Sequence, residues 1–355
     1  MRATAIGSIK ADSQRQALAA TIGADGRQLL AAVDTAADLP WLGTLPVIVT
    51  LRQVWAEQYT DPPDPPRWRE VKDLASAGEL IASPYDPEAR WSTKRGVDWV
   101  GYKVHLTETC DPDTPHLITH VETTPATTQE DQVLPLVHTA LAAHDLLPQE
   151  HLVDAGYTTA DVLVTSQREH GVAVIGPVAV DPSWQAKAGA GFAKAHFAVD
   201  WAAETVTCPA GKTSLSWRPV TDPTKNAAFH VRFARGDCLA CADRARCTKA
   251  KIEPRELMLQ TREAYEALQT TRQRQLTPAF REQYAARAGI EATHAQGVRR
   301  CGLRQARYLG LAKTKLQHIC TAAALNLVRV GEWLAETPRA TTRRSPFAAL
   351  QLARG

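Results

Sequence analysis

The chain has 355 residues, 44% of them hydrophobic and 22% charged, which is the composition of a folded globular protein with room for two or three domains. No apolar run approaches the roughly 20 residues that cross a bilayer, and the N-terminus lacks the apolar core of a signal peptide. These features exclude a membrane-spanning protein and predict a cytoplasmic one. Its seven cysteines are then thiols or metal ligands rather than disulfides.

The net charge of +3 conceals a basic C-terminal region. Residues 292–355 contain eleven Lys and Arg against two Glu, so this region has a charge of +9 and the rest of the chain −6. A concentration of this kind fits a polyanion such as nucleic acid, because each phosphate contact releases counterions. A solvated basic face without a partner is the alternative.

Apolar positions at mixed three- and four-residue spacing predict a helical N-terminal region over residues 1–60. The segment DPPDPPR, which begins at Asp61, predicts a linker because proline lacks the N–H donor that helices and central strands use. We expect irregular structure from there to residue 100.

The pattern then changes to alternation. GYKVHLT (residues 101–107) and LITHVETT (117–124) are separated by turn-forming CDPDTP, which predicts an antiparallel hairpin. An apolar-periodic helix follows at 131–144, then the short strand HLVD at 151–154. A helix ending near His170 and a strand at 172–175 complete the pattern. Residues 101–177 are therefore expected to form the core of a mixed α/β domain, with their strands in one sheet.

Residues 178–256 interrupt this rhythm with short strands, three tryptophans and four cysteines, which predicts a Cys-rich insertion. Residues 257–336 are predicted to be helical, and residues 337–355 a disordered basic tail. The longest helical stretch places one apolar face toward the core. Its members are Leu309, Leu316, Ile319, Ala323, Leu327 and Val330.

Two acidic residues lie in patterns that suit metal chemistry. Asp154 ends the strand HLVD, at the carboxyl edge where open α/β sheets bind ligands; alternatively it caps the next helix. Glu291 is the last residue of the pattern Tyr-x2-Arg-x3-Glu, which begins at Tyr284. Arg287 lies four residues before Glu291. Arg287 either positions a metal-binding glutamate or forms an ordinary surface ion pair with it.

These motifs indicate a family. HLVDAGY, YAARAGIE and GLRQARYLGLAKTKLQHICTAAALNLVR follow one another, with SPYDPEARWSTKRGVDWVGYKVHLTETCD upstream. Together they resemble the DDE transposases of bacterial insertion sequences, in the branch numbered eleven eighty-two, over residues 42–333. The resemblance implies a ribonuclease-H-like fold and divalent-metal catalysis with Mg²⁺ or Mn²⁺. It also implies that Asp154 and Glu291 are the second and third catalytic carboxylates and the metal ligands.

The first catalytic carboxylate is harder to place. In the resembled family it lies on the opening strand, usually followed by Ser-Thr, and no Asp-Ser-Thr occurs here. Asp86 precedes the GYKVHL strand, but Pro87 follows it, which is turn chemistry. Either Asp86 completes the triad, or the chain begins after the opening strand and Asp86 is a loop residue near the site.

Four cysteines have spacing that suits structural zinc. Cys208 opens CPAG, and Cys238, Cys241 and Cys247 form Cys-x2-Cys-x5-Cys. The alternative is a set of scattered buried thiols. If zinc is bound, the four sulfurs should lie within about 4 Å of one another.

Basic side chains follow Glu291 closely, and we expect them to contact DNA phosphates together with Arg287. They are Arg299, Arg300, Arg304, Arg307, Lys313 and Lys315.

The sequence as a whole therefore predicts an α/β protein with a ribonuclease-H-like mixed sheet, a Cys-rich insertion and a helical C-terminal region. Its expected function is DNA cleavage and strand transfer for an insertion sequence, in the nucleoid, with a homodimer on paired DNA ends. One rival is a truncated remnant that binds DNA and zinc without catalysis. A metal-dependent phosphohydrolase of small substrates is the other, and the basic C-terminal region argues against it.

Overall fold

The computed structural model describes residues 11–62, 65–223 and 225–338. Its architecture is mixed α/β, with small sheets and many helices. The chain divides into a first unit, Met1–Thr128 with Ala292–Gly355, and a second unit, Gln129–Glu291. Within the described residues, none of the helices is both long and apolar enough to cross a lipid bilayer.

The N-terminal part of the first unit begins helical, as predicted, and continues into two groups of antiparallel strands. GYKVHLT and LITHVETT pair antiparallel as predicted, with Val104 opposite Thr123. The elements are α1 (Asp12–Thr35), α2 (Pro46–Gln58), β1 (Tyr59–Thr60), β2 (Arg67–Trp68), β3 (Arg90–Lys94), β4 (Val97–Glu108) and β5 (Ile118–Pro125).

The stretch predicted to be irregular contains strands. β3 pairs with β4 through a two-residue turn, in which Arg95 and Gly96 have φ of 55° and 76°. Such turns favour Gly and Asn, so a sequence with arginine at the first turn position does not predict the hairpin. The described residues of the predicted linker also include β2, which pairs with β1, so Tyr59 lies opposite Trp68.

In the second unit, helices pack on short strands. Its elements are α3 (Glu130–Ala142), β6 (Glu150–Leu152), α4 (Ala160–His170), β7 (Ala173–Ile175), α5 (Trp184–Ala188), β8 (Ala198–Asp200), β9 (Thr205–Thr207), β10 (Ser214–Thr221), β11 (Ala227–Phe233), α6 (Arg235–Leu239), α7 (Arg244–Cys247), β12 (Glu256–Gln260), α8 (Arg262–Arg274) and α9 (Pro278–Ala285). The last two helices of the described residues are α10 (Ala288–Cys301) and α11 (Leu311–Leu334).

β6 and β7 pair in parallel, the geometry that a crossover helix such as α4 permits. Their core packs Val133, Val137 and Leu141 of α3 against Val153 and Val174. β6 and β7 form their own two-stranded sheet, while β3, β4 and β5 form another in the first unit. The prediction of one sheet through residues 101–175 is therefore wrong.

The Cys-rich segment forms a three-stranded antiparallel sheet, in the order β10-β11-β12. Its core contains Val206, Val231, Phe233 and Leu259, each no more than 2% exposed. The expected helical start at residue 257 is wrong, because Glu256–Gln260 is the strand β12, which completes this sheet.

The predicted apolar face of α11 is also wrong. Leu316 and Leu327 are 60% and 75% exposed, while Thr314 and His318 are buried. The buried face hydrogen-bonds β5: the Asn326 side chain bonds the backbone N and O of Ile118, both at 2.8 Å. Ala322 and Leu325 on the same face pack against Ile118 and Val121, so apolar contact and specific polar pairing together set the rotation of this helix.

Candidate active site

Asp154 lies two residues after β6 and directly precedes a short 3-10 turn, Ala155–Tyr157. Its side chain makes no capping hydrogen bond, and α4 is capped instead by Thr159, whose Oγ1 accepts from the backbone N of Val162 at 3.4 Å. The carboxylate of Asp154 lies 2.6 Å from Nη2 of Arg287. The side chain of Asp154 therefore forms an ion pair and does not cap a helix.

Arg287 lies in the turn between α9 and α10, so the motif from Tyr284 to Glu291 spans a helix junction. The same Nη2 atom that contacts Asp154 lies 3.3 Å from Oε1 of Glu291. The two carboxylate oxygens are therefore closer together than the sum of these two distances. The structure brings these three predicted site residues, 133 or more positions apart in the case of Asp154, to one point.

The arginine is held more firmly than the carboxylates. Its side chain is 18% exposed, whereas those of Asp154 and Glu291 are 56% and 68% exposed. The guanidinium carbon lies 6.0 Å from the ring centroid of Tyr284, and that ring stacks on Phe280 at 5.4 Å. The result is a cation on an aromatic support with two solvent-facing carboxylates around it.

Burial and the carboxylates of this region raise the pKa values of two neighbouring tyrosines, Tyr284 and Tyr157. Burial raises the pKa of Tyr284, Arg287 opposes the rise, and Asp154 and Glu291 add to it. Burial also raises the pKa of Tyr157, and the charges of Glu130 and Asp154 raise it further. Glu130, in the first turn of α3, is an acidic neighbour that the sequence did not single out.

Asp86 belongs to the first unit, where both of its carboxylate oxygens accept hydrogen bonds. Oδ1 accepts from the hydroxyl of Tyr102 at 2.7 Å, and Oδ2 accepts from the backbone N of Gly310 at 3.1 Å. Glu88 accepts from the backbone N of Leu311 at 2.8 Å. The two acids thus satisfy the N-terminus of α11, where the helix dipole favours negative charge.

The predicted DNA-binding residues beyond Glu291 differ in exposure. Within the described part of the chain, five of them are exposed and have no acidic partner: Arg299, Arg300, Arg304, Arg307 and Lys313. Lys315 differs, because its Nζ lies 3.0 Å from Oε1 of Glu122, whose side chain is 14% exposed. That ion pair lowers the pKa of Glu122 against the opposing effect of burial.

The four cysteines line one pocket, together with Arg244 and Arg255. The backbone N of Lys212 donates to Sγ of Cys208 at 3.4 Å, and that of Arg255 donates to Sγ of Cys238 at 3.5 Å. Burial and the neighbouring thiols raise the pKa of Cys247, and Arg255 opposes the rise. Among the described residues, no three His, Cys, Asp or Glu side chains are arranged to hold a metal ion, so the four sulfurs do not form the expected tetrahedron in this structure.

A comparison with known families bears on this arrangement. Residues 207–331 match the transposase DDE domain. The match covers about a third of the chain and includes the four cysteines, the Tyr-x2-Arg-x3-Glu motif and the basic residues that follow; Asp86 and Asp154 lie outside it. No curated protein and no solved structure gives a significant match to the chain.

The family match supports a DDE transposase, and with it a DNA-cutting class of enzyme. Domains of this kind generally use divalent metal ions such as Mg²⁺, and a transposase domain implies DNA as a partner.

Proposed function

We propose that this protein cleaves DNA and transfers its strands for an insertion sequence, with Asp154 and Glu291 as metal-binding catalytic carboxylates. The observation that supports this most strongly is the convergence of both carboxylates on one cationic nitrogen of Arg287. A two-metal site needs carboxylates from distant parts of the chain to converge, as these two do. The match to a transposase DDE domain, which includes Glu291 and not Asp154, supports this chemistry.

The donor set fits a hard divalent cation. Both groups are carboxylates, the ligands that Mg²⁺ prefers, and each is more than half exposed, which leaves room for water and phosphate. The nitrogen of Arg287 already occupies a cation position between them. When bound, the metal would activate the attacking hydroxyl and stabilise the leaving oxygen of the phosphodiester.

The protein's own residues would orient the reacting groups. Tyr284 and Phe280 support the arginine, and the arginine lies against both carboxylates. The exposed basic residues, among them Arg304 and Arg307, would bind the DNA backbone and set its position without reading its sequence.

A ribonuclease-H-like arrangement of the strands is part of this proposal. It is supported by the order along the chain of the antiparallel β4–β5 hairpin, the parallel pair β6–β7 and an acid two residues after β6, although the two pairs lie in separate sheets in this structure. For Asp86 we favour a structural role, because both of its oxygens accept hydrogen bonds at the start of α11.

We also propose that the cysteine pocket takes up a structural zinc ion. All four thiols line the pocket, and two of their sulfurs already accept backbone N–H bonds. Zinc would draw the side chains together into the tetrahedron that they do not form here.

The direct test uses DNA spanning the gene and its flanking sequence. We expect nicking at the element ends with Mg²⁺ or Mn²⁺, and a loss of about a thousandfold in Glu291→Gln with DNA binding retained. Glu263→Gln, an exposed acid of the same unit, is the matched control. Salt-sensitive DNA binding without cleavage in either metal would contradict the proposal and favour a protein that only binds DNA.

A further inference from the structure

One nitrogen of Arg287 occupies a position that a metal ion would need. Its Nη2 contacts Oδ2 of Asp154 at 2.6 Å and Oε1 of Glu291 at 3.3 Å. Two neighbouring carboxylates repel each other, and a cation between them relieves that repulsion. The arginine and a divalent ion are therefore alternative partners for the same oxygens.

The geometry suits an exchange of partners. The guanidinium of Arg287 lies over the ring of Tyr284 and is mostly buried, while the carboxylates project into solvent. A planar guanidinium that leaves a carboxylate keeps donors that match phosphate oxygens. The arginine can thus give up its carboxylates without being left unpaired, provided that a phosphate is present.

We propose that Arg287 is a resident counterion that competes with the divalent metal for Asp154 and Glu291 and moves to a DNA phosphate when the metal binds. The inference rests on the proposed function, since it assumes that these two carboxylates bind the metal. It makes metal binding and DNA binding mutually reinforcing, because each removes a competitor of the other.

A purely supporting role for Arg287 predicts the opposite sign. If the arginine only holds the two carboxylates in place for the metal, its removal weakens metal binding. If it competes with the metal, its removal strengthens metal binding in the absence of DNA. The two roles are therefore separated by one binding measurement that does not depend on catalysis.

The experiment measures Mn²⁺ binding to the full chain without DNA, by electron paramagnetic resonance of the free ion. We expect Arg287→Gln to bind Mn²⁺ about fivefold more tightly than the wild type, the lower end of typical coupling between sites. Arg274→Gln is the matched control, an exposed arginine of the same unit that lies 3.9 Å from Glu150, and it should leave the affinity unchanged. Arg287→Met, which keeps an apolar stem on Tyr284, gives the same test if the glutamine variant does not fold. Weaker or unchanged Mn²⁺ affinity in a folded variant overturns the inference.

A second measurement follows the coupling itself. At constant ionic strength, Mn²⁺ should tighten binding of a labelled DNA duplex by the wild type about fivefold, and this gain should be absent in Arg287→Gln. A gain that persists in the variant would show that the phosphate does not capture Arg287. Mn²⁺ affinity that is unaffected in Asp154→Asn combined with Glu291→Gln would instead refute the metal site, and with it the proposed function.

Discussion

At the scale of single residues, the buried carboxylate of Glu108 is paired with an arginine. Glu108 on β4 is 6% exposed, and its Oε2 lies 2.9 Å from Nη1 of Arg329 on α11. The hydroxyl of Thr293 on α10 donates to the same carboxylate oxygen at 2.6 Å and also contacts Arg329. Through this one network, the acid on the sheet fixes both C-terminal helices in the first unit.

Removal of the arginine from this network should destabilise the protein. Arg329→Met leaves the buried carboxylate of Glu108 without its counterion, so we expect a loss of about 3–5 kcal/mol in the free energy of unfolding. Urea denaturation followed by circular dichroism measures it. Arg262→Met, which breaks only an exposed pair with Glu266, is the control and should cost less than about 1 kcal/mol. Equal effects of the two variants would mean that the Glu108 network does not stabilise the fold.

At the scale of elements, the strand β6 links a buried histidine pair to the candidate active site. His151 on β6 lies three residues before Asp154, and its Nδ1 is 3.0 Å from Nε2 of His138 on α3. Burial lowers the pKa of each to about 4, and the charges of His170 and His138 add to the effect on His138 and His151 respectively. Both imidazoles are therefore neutral in the folded protein at neutral pH.

This pair should make stability depend on pH in a definite window. The unfolded histidines take up protons near pH 6.5, whereas the folded pair resists protonation down to about pH 4. The stability present above pH 6.5 should thus fall as the pH drops from 6.5 to 4, with no further loss from these groups below 4. Denaturation curves across that range measure the slope. His138→Leu should make it shallower and His196→Gln, at an exposed site, should not. An unchanged slope in His138→Leu would assign the pH dependence to other groups.

The proposed zinc site in the cysteine pocket can be tested by zinc content and melting temperature. Zinc analysis of the purified chain should give about one equivalent, since four thiolates complete one tetrahedral site. Cys241→Ser should lower the zinc content and the melting temperature together, because binding free energy becomes folding free energy. Cys320→Ser, an exposed thiol of α11, should change neither. A zinc-free wild-type protein with an unaltered melting temperature on adding zinc would remove the proposal.

At the scale of the whole molecule, the basic charge is concentrated in one part of the chain, as expected of a protein that binds a polyanion. The acidic excess of residues 1–291 and the basic excess of residues 292–355 separate along the chain. Exposed and unpaired arginines would release counterions on meeting phosphate, whereas an arginine or lysine already bound to an acid has less to gain. Arg304 and Lys315 illustrate the two cases.

DNA binding should show this difference in its salt dependence. Replacing Arg304 and Arg307 with Gln should lower the slope of log K against log salt by about one unit for each lost contact, uniformly across sequences. Lys315→Gln should lower it less, because its Nζ already pairs with Glu122 at 3.0 Å. Fluorescence anisotropy over a salt series measures the slopes. Equal slopes for the wild type and the double variant would mean that these arginines face away from DNA.

Local sequence patterns determined several elements correctly. The β4–β5 hairpin, the helix α3 and the helix α4 ending at His170 follow from alternation, apolar periodicity and turn residues, which are local properties. The pattern from Tyr284 to Glu291 also singled out the arginine that contacts both candidate carboxylates. The β3–β4 turn escaped prediction because an arginine adopts the backbone conformation usually taken by Gly or Asn.

Only the tertiary structure decided which distant residues meet. The pairing of Asp154 with Arg287, the capping of α11 by Asp86 and Glu88, and the engagement of Lys315 by Glu122 each join residues that no local pattern connects. The buried face of α11 likewise contacts β5 through hydrogen bonds and through Ala322 and Leu325, and not through the apolar stripe that the periodicity indicated. The physical reason is that hydrophobic periodicity encodes the amount of surface to bury. Which face of an element is buried, and against which partner, also depends on polar groups that must each find a hydrogen-bond partner once water is excluded.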